Sequence, residues 1–185
     1  MNPWQLREAV RTLRNGGVIA YPTEAVYGLG CAPQDAVAVQ RVLALKARPM
    51  AKGLILIASD FAQLEPFLLP LEARLWRRIQ DTWPGPVTWL LPARPEVPDY
   101  LRGAHDTLAV RVTAHPVAAA LCRASRHALV STSANRSGQP PARSALGVRR
   151  RFGHDVNRVV PGPLGGRPRP TEIRDGRTGH TLRSG

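Results

Sequence analysis

Five short apolar runs recur along the chain with helix-like segments between them: "VIAY" at 18–21, "LILIA" at 54–58, "VTWLL" at 87–91, "LAVRV" at 108–112 and "ALVST" at 128–132. Runs this short, rich in Val, Ile and Leu, read as strands buried on both faces rather than as helices. Asn2 and Pro3 start a helix that places Leu6, Val10 and Leu13 on one face and stops at Gly16-Gly17. Asp35 caps a second helix carrying Val39, Val42 and Leu43 up to Lys46. Pro70 to Ile79 gives a third with Leu71, Leu75 and Ile79 inward, and Pro116 opens a fourth through Val117, Ala120 and Leu121. Ser144 caps a short basic helix, "SALGVRRRF", ahead of strand-like pieces near "RVV", "TEIR" and "HTLR" that the stretch "PGPLGGRPRP" interrupts. The order predicts an α/β fold, a twisted open mixed sheet flanked by helices, with ligands in crevices at the strand ends. The 185 residues, 43% of them hydrophobic, fit one domain over 1–185.

Several functional classes lose support at once. The longest apolar runs fall far short of the roughly 20 residues that span a bilayer, and "MNPWQLREAV" lacks the apolar core of an export signal. A cytoplasmic protein with no membrane partner is expected. Cys31 and Cys122 stand alone, and the histidines show no ligand spacing, so neither a disulfide framework nor a metal site is expected. GxxxxGK[ST], GxGxxG, GxSxG and HExxH are all missing.

The formal net charge of +13 calls for a polyanionic partner, whether nucleic acid or nucleotide phosphate. Of the 26 basic residues only Lys46 and Lys52 are lysines, six positions apart in "LKARPMAKG". In a chain that otherwise writes arginine, they point to a need for compact ammonium charges. Further polar groups leave the apolar runs: Tyr21, Thr23, Glu24 and Tyr27 in "YPTEAVYGLG", then Arg48, Arg111, Ser131, Thr132, Ser133 and Asn135. "YPTEAVYGLG" reads as a strand-to-helix connection whose glycines serve a tight turn with positive φ. Arg111, inside an apolar strand, needs a counter-ion, for which Asp106 is the candidate. Arg149 to Arg151 reads as a solvated helix face. Many donors with Glu24 as the one nearby acid suit a substrate that brings its own negative charge, such as a triphosphate with Mg²⁺ held mainly by its phosphates.

The motifs "PTEAVYGLG", "KARP" with Lys52 following, "DTLAVRV", "STSAN.SG" and "TEIRDGRTGHTLRSG" occur in an order that resembles the YrdC-like family, the threonylcarbamoyl-AMP synthases of bacterial tRNA modification. The resemblance covers essentially the whole chain and is nearest the short bacterial form. It implies a twisted α/β sheet with a concave basic cleft. It also implies the reaction of L-threonine, bicarbonate or CO₂, and ATP to L-threonylcarbamoyladenylate and pyrophosphate. A separate threonylcarbamoyl transferase complex would use the product on N6 of adenosine 37 in tRNA. By the same resemblance Lys46, Arg48 and Lys52 are the catalytic cations beside the triphosphate, joined by Arg183. Thr23, Tyr27, Arg111 and Thr171 fall at threonine-binding positions, and Thr107, Ser131, Ser133 and Asn135 at nucleotide-binding ones. Longer relatives carry Asn-Pro where Lys52-Gly53 stands, a histidine at Ile57 and a hydroxyl at Pro141. The alternative from charge alone is an RNA- or tRNA-binding module without chemistry.

Overall fold

The computed structural model describes residues 1–185. Asn2 accepts from the Gln5 amide and Gln5 reaches back to the Asn2 amide, a capping box that starts α1 (Pro3–Arg14). The chain continues through β1 (Ile19–Pro22), β2 (Tyr27–Gly30), α2 (Ala36–Lys46) and β3 (Ile55–Ala58). It then forms α3 (Ala73–Gln80), β4 (Val87–Pro92), the short α4 (Asp99–Arg102), β5 (Thr107–Val112), α5 (Pro116–Ser125) and β6 (Leu129–Ser133). The last elements are α6 (Ala145–Phe152), β7 (Arg158–Val159), β8 (Glu172–Asp175) and β9 (Thr181–Arg183). The Asp35 and Ser144 side chains accept from the amides of Ala38 and Gly147, so both expected caps form. The helix expected from Pro70 begins only at Ala73.

The nine strands form one mixed sheet in the order β7-β1-β2-β6-β3-β5-β4-β8-β9. β1 runs parallel to β7, β3 to β5 and β4 to β8, and the other neighbours are antiparallel. "YPTEAVYGLG" is not a strand-to-helix connection. It is a hairpin in which Pro22 pairs with Tyr27 and Ile19 with Gly30, and its second strand had been hidden by its glycines. Neither Gly28 nor Gly30 has positive φ. They serve close approach instead: a Cβ on Gly30 would lie 2.5 Å from the Val130 carbonyl oxygen and 2.8 Å from the Tyr21 ring. Gly30→Ala is therefore expected to destabilise the protein by about 1–3 kcal/mol, read from urea unfolding, because the β2–β6 spacing must open.

One face of the sheet carries the larger core, where Leu56, Trp89, Leu91, Leu108, Val110 and Val130 pack with Val39 and Val42 of α2. A smaller core places Ile19, Tyr21, Ile57 and Leu129 against Leu13 of α1 and Val117, Leu121 and Cys122 of α5. α1 and α5 cover only part of their face. Beyond them the sheet is bare, and the strand alternation shows it: Leu108, Val110 and Val112 of β5 are core, whereas Thr107, Ala109 and Arg111 line a cavity. No helix is long and apolar enough to cross a membrane.

Candidate active site

The cavity encloses about 500 Å³, within the range of small-molecule sites. Its floor is the sheet itself rather than a crevice at strand ends. Ser131, Ile55, Ala109 and Leu90 stand in register across four neighbouring strands and all line it. β6 brings Ser131 and Ser133, β5 brings Thr107 and Arg111, the β1–β2 turn brings Thr23, Thr171 stands just before β8, and β9 brings Arg183. Arg48 and Lys52 stand at the rim, where the unforeseen Arg102 and His105 join them. No Asp or Glu lines the cavity, against five arginines and lysines. The crowding has a cost. Burial, then Arg111 and Arg48, pushes the Arg183 guanidinium below its ordinary value, and burial does the same to Arg48. Arg102 pairs with Asp99, but Arg48, Lys52 and Arg183 form no salt bridge, and their crowding is what a polyanionic ligand would relieve.

Arg111 is 4% exposed and does not pair with Asp106. Asp106 lies on the surface with Arg177, whereas Arg111 donates from Nη2 to Glu24 at 3.3 Å and from Nη1 to the Thr171 hydroxyl at 2.7 Å. The Thr113 hydroxyl donates to the other Glu24 oxygen at 2.7 Å. Glu24 comes from 87 positions away, so sequence proximity misleads here. The Nε–H of Arg111 is buried without a partner, which leaves a donor for a carboxylate placed in the cavity. Glu24 and Thr113 received no role from the sequence. The only signal was that a lone acid and a lone buried cation must find each other.

Three expected site residues do not line the cavity: Lys46, Tyr27 and Asn135. The Lys46 ammonium, at the end of α2, donates to the carbonyl oxygens of Ser133 and Asn135 and, at 3.3 Å, to Asn135 Oδ1. The Ser133 hydroxyl donates to the same Oδ1 at 2.6 Å. Lys46 and Asn135 thus form a clamp that shapes the "STSAN" loop from behind. Burial, then the neighbouring Arg48, pushes the Lys46 ammonium down to about 8. The Tyr27 side chain packs in the larger core, and its hydroxyl donates to the Gly162 carbonyl at 2.9 Å and accepts from the Gly162 amide at 3.2 Å. The Pro140-Pro141 pair brings Pro141 to the cavity wall, where longer relatives were expected to carry a hydroxyl. Ile57 is in the smaller core.

The fold is α/β, built on a mixed nine-stranded sheet, with a cavity on one face lined by cations and hydroxyls. Residues 11–185 match the Sua5/YciO/YrdC family, described as telomere recombination, and the chain belongs to that family. It is 62% identical to a threonylcarbamoyl-AMP synthase of Nitrosococcus oceani over 180 residues, 97% of each chain. It is 60% identical to a protein of the same name in Halorhodospira halophila, over 98% of this chain and 95% of that one. The structure of P. abyssi Sua5 complexed with L-threonine matches 95% of this chain with a TM-score of 0.89 and 34% identity, and this chain spans about half of it, 52%. E. coli YciO matches 94% of this chain and 85% of its own with a TM-score of 0.82 and 30% identity.

Proposed function

We propose that this protein is a threonylcarbamoyl-AMP synthase, a nucleotidyltransferase that joins L-threonine, bicarbonate or CO₂, and ATP into L-threonylcarbamoyladenylate and pyrophosphate. The observation that supports it most is a cavity rich in cations and hydroxyls and free of carboxylates, with one buried arginine at its floor. The names of the similar bacterial proteins agree.

The threonine amine adds to CO₂ and gives up a proton, forming a carbamate. A carbamate oxygen attacks the α-phosphorus of ATP, the bond to the bridging oxygen breaks, and pyrophosphate leaves. No protein nucleophile is required. The protein holds the reactants in line and stabilises charge on the departing phosphates. Arg48, Lys52 and Arg183 take the phosphates. Arg111 receives the threonine carboxylate with Thr23 and Thr171 beside it, and Thr107, Ser131 and Ser133 hold the nucleotide. Lys46 and Asn135 act through the "STSAN" loop. The chain has no cluster of three His, Cys, Asp or Glu side chains, and no carboxylate lines the cavity. The residues present do not build a magnesium site, so Mg²⁺ belongs to the nucleotide substrate. The mixed anhydride is a reactive acyl donor. A transferase complex that acylates N6 of adenosine 37 in tRNA is the consumer this reading assigns, in the cytoplasm.

The test is pyrophosphate release with ATP, Mg²⁺ and bicarbonate, with and without L-threonine, and mass spectrometry of the product. Release that depends on both threonine and bicarbonate, with the adenylate detected, is expected. Release independent of threonine, or none from folded protein, would remove the assignment.

A further inference from the structure

The glycine- and proline-rich stretch 161–170, "PGPLGGRPRP", belongs to no strand or helix, yet it is tied down along most of its length. Gly162 exchanges two hydrogen bonds with the Tyr27 hydroxyl. The Pro163 carbonyl lies 3.2 Å from His115 Nε2, and as that oxygen can only accept, Nε2 carries the proton. The Gly165 amide donates to the Thr23 carbonyl at 3.0 Å, and the Arg167 amide donates to the Glu24 carbonyl at 3.0 Å. Pro170 and Thr171 then reach the cavity wall, where the Thr171 hydroxyl accepts from Arg111.

Every tie falls on the amino-acid side of the cavity. Thr23 and Glu24 are the strap's backbone partners, Glu24 is the counter-ion of Arg111, and Thr171 is the residue the strap delivers. The two side chains that grip the strap are buried, Tyr27 at 2% exposure and His115 at 5%. Tyr27 could have met any acceptor in the core. Its hydroxyl is instead both donor and acceptor to one backbone position of the strap. Gly165 fits because it has no side chain: a Cβ there would lie 2.9 Å from Glu24 Cα and 3.2 Å from the Glu24 carbonyl oxygen.

We propose that segment 161–170 is a strap that sets Thr171 at the amino-acid subsite, that Tyr27 and His115 latch it, and that these two are positioning residues acting on threonine through Thr171 and Arg111. The proposal rests on the synthase reading above. It reassigns Tyr27 from contact with substrate to control of the strap, and it separates the two subsites: the latch governs threonine and leaves ATP to the clamp at Lys46.

Tyr27→Phe keeps the ring in the core and removes only the latch hydroxyl. The expected result is a threonine KM raised about tenfold with the ATP KM unchanged. In the substrate-free protein, the Gly165 and Arg167 amides should exchange with solvent about tenfold faster, since they protect only while the strap is down. Gly165→Ala opens the strap from the other side without touching Tyr27 and should give the same split. Amide exchange at Gly165 and Arg167 that is identical in Tyr27→Phe and wild type would overturn the proposal. So would a parallel rise of both KM values. Wild-type protein without threonine-dependent pyrophosphate release would remove the amino-acid subsite and the strap's role in it, while the exchange rates still report whether the latch exists.

Discussion

Arg111→Ala lowers threonine-dependent pyrophosphate release about 100- to 1,000-fold, the loss expected when a buried, hydrogen-bonded charge partner is removed from a site. That variant also strands Glu24, which is 7% exposed and keeps only the Thr113 hydroxyl. A stability loss of about 3–5 kcal/mol accompanies it. The two effects separate in the double variant Glu24→Gln/Arg111→Met, which removes both charges and keeps the volume. Its unfolding midpoint should return most of the way to wild type, because a buried ion pair is worth little more than a well-packed apolar pair. Its turnover should not return. Turnover near wild type in a stable double variant would take Arg111 out of the chemistry and leave it a structural cation.

Lys46→Met weakens kcat/KM for ATP about a hundredfold while leaving the threonine KM in place, since a shift of the "STSAN" loop misplaces Ser133 at the nucleotide side of the cavity. The Asn135 carbonyl loses its donor, while the Ser133 carbonyl keeps the Asn135 amide and Asn135 Oδ1 keeps the Ser133 hydroxyl. Ser133 and Asn135 are only half-buried, so water recovers part of that loss and the stability cost is about 2–3 kcal/mol. A pH series reads the same clamp without mutation. With its ammonium pushed down to about 8, Lys46 loses a proton as pH rises through that value, and the neutral amine has two donors for three acceptors. ATP binding should weaken there. Stability moves the opposite way. The folded value lies below the ordinary 10.5, so between about 8 and 10.5 the unfolded chain holds more protons, and the Lys46 contribution to stability rises with pH. An alkaline fall in ATP binding without an accompanying fall in unfolding midpoint, absent in Lys46→Arg, is the expected pattern.

The local features were legible where a single residue decides them. Asn2, Asp35 and Ser144 each cap the helix their position announced, and the five apolar runs are all strands. What failed depended on distant partners. "YGLG" looks like a turn because two of its four residues are glycine. It is a strand because the β6 backbone and the Tyr21 ring come so close that a side chain at Gly30 would collide. Asp106 looked like the partner of Arg111 because it is five positions away. On β5 that distance puts Asp106 just beyond the strand's first residue, on the surface beside Arg177. The motif residues were found as a set, and most do meet around one cavity. Their division into lining residues and supports was not legible, because it follows from strand alternation and loop shape: Gly28, not Tyr27, faces Ser131, and Lys46 points at the back of a loop.

The alternation along β5 has a consequence for how such a protein can change. Leu108, Val110 and Val112 answer to the core, and Thr107, Ala109 and Arg111 answer to the cavity, so folding and chemistry are selected on interleaved residues of one strand. A lineage could re-line the floor for a different amino acid by substituting Thr107 and Ala109 with little penalty in folding, whereas Arg111 answers to both folding and activity through its buried pair with Glu24. Drift at the even positions would be judged on folding alone. Libraries randomised at Ala109 and its cross-sheet neighbour Leu90 therefore sample new substrate preferences on a largely unchanged scaffold, whereas Ile55 also packs against the smaller core.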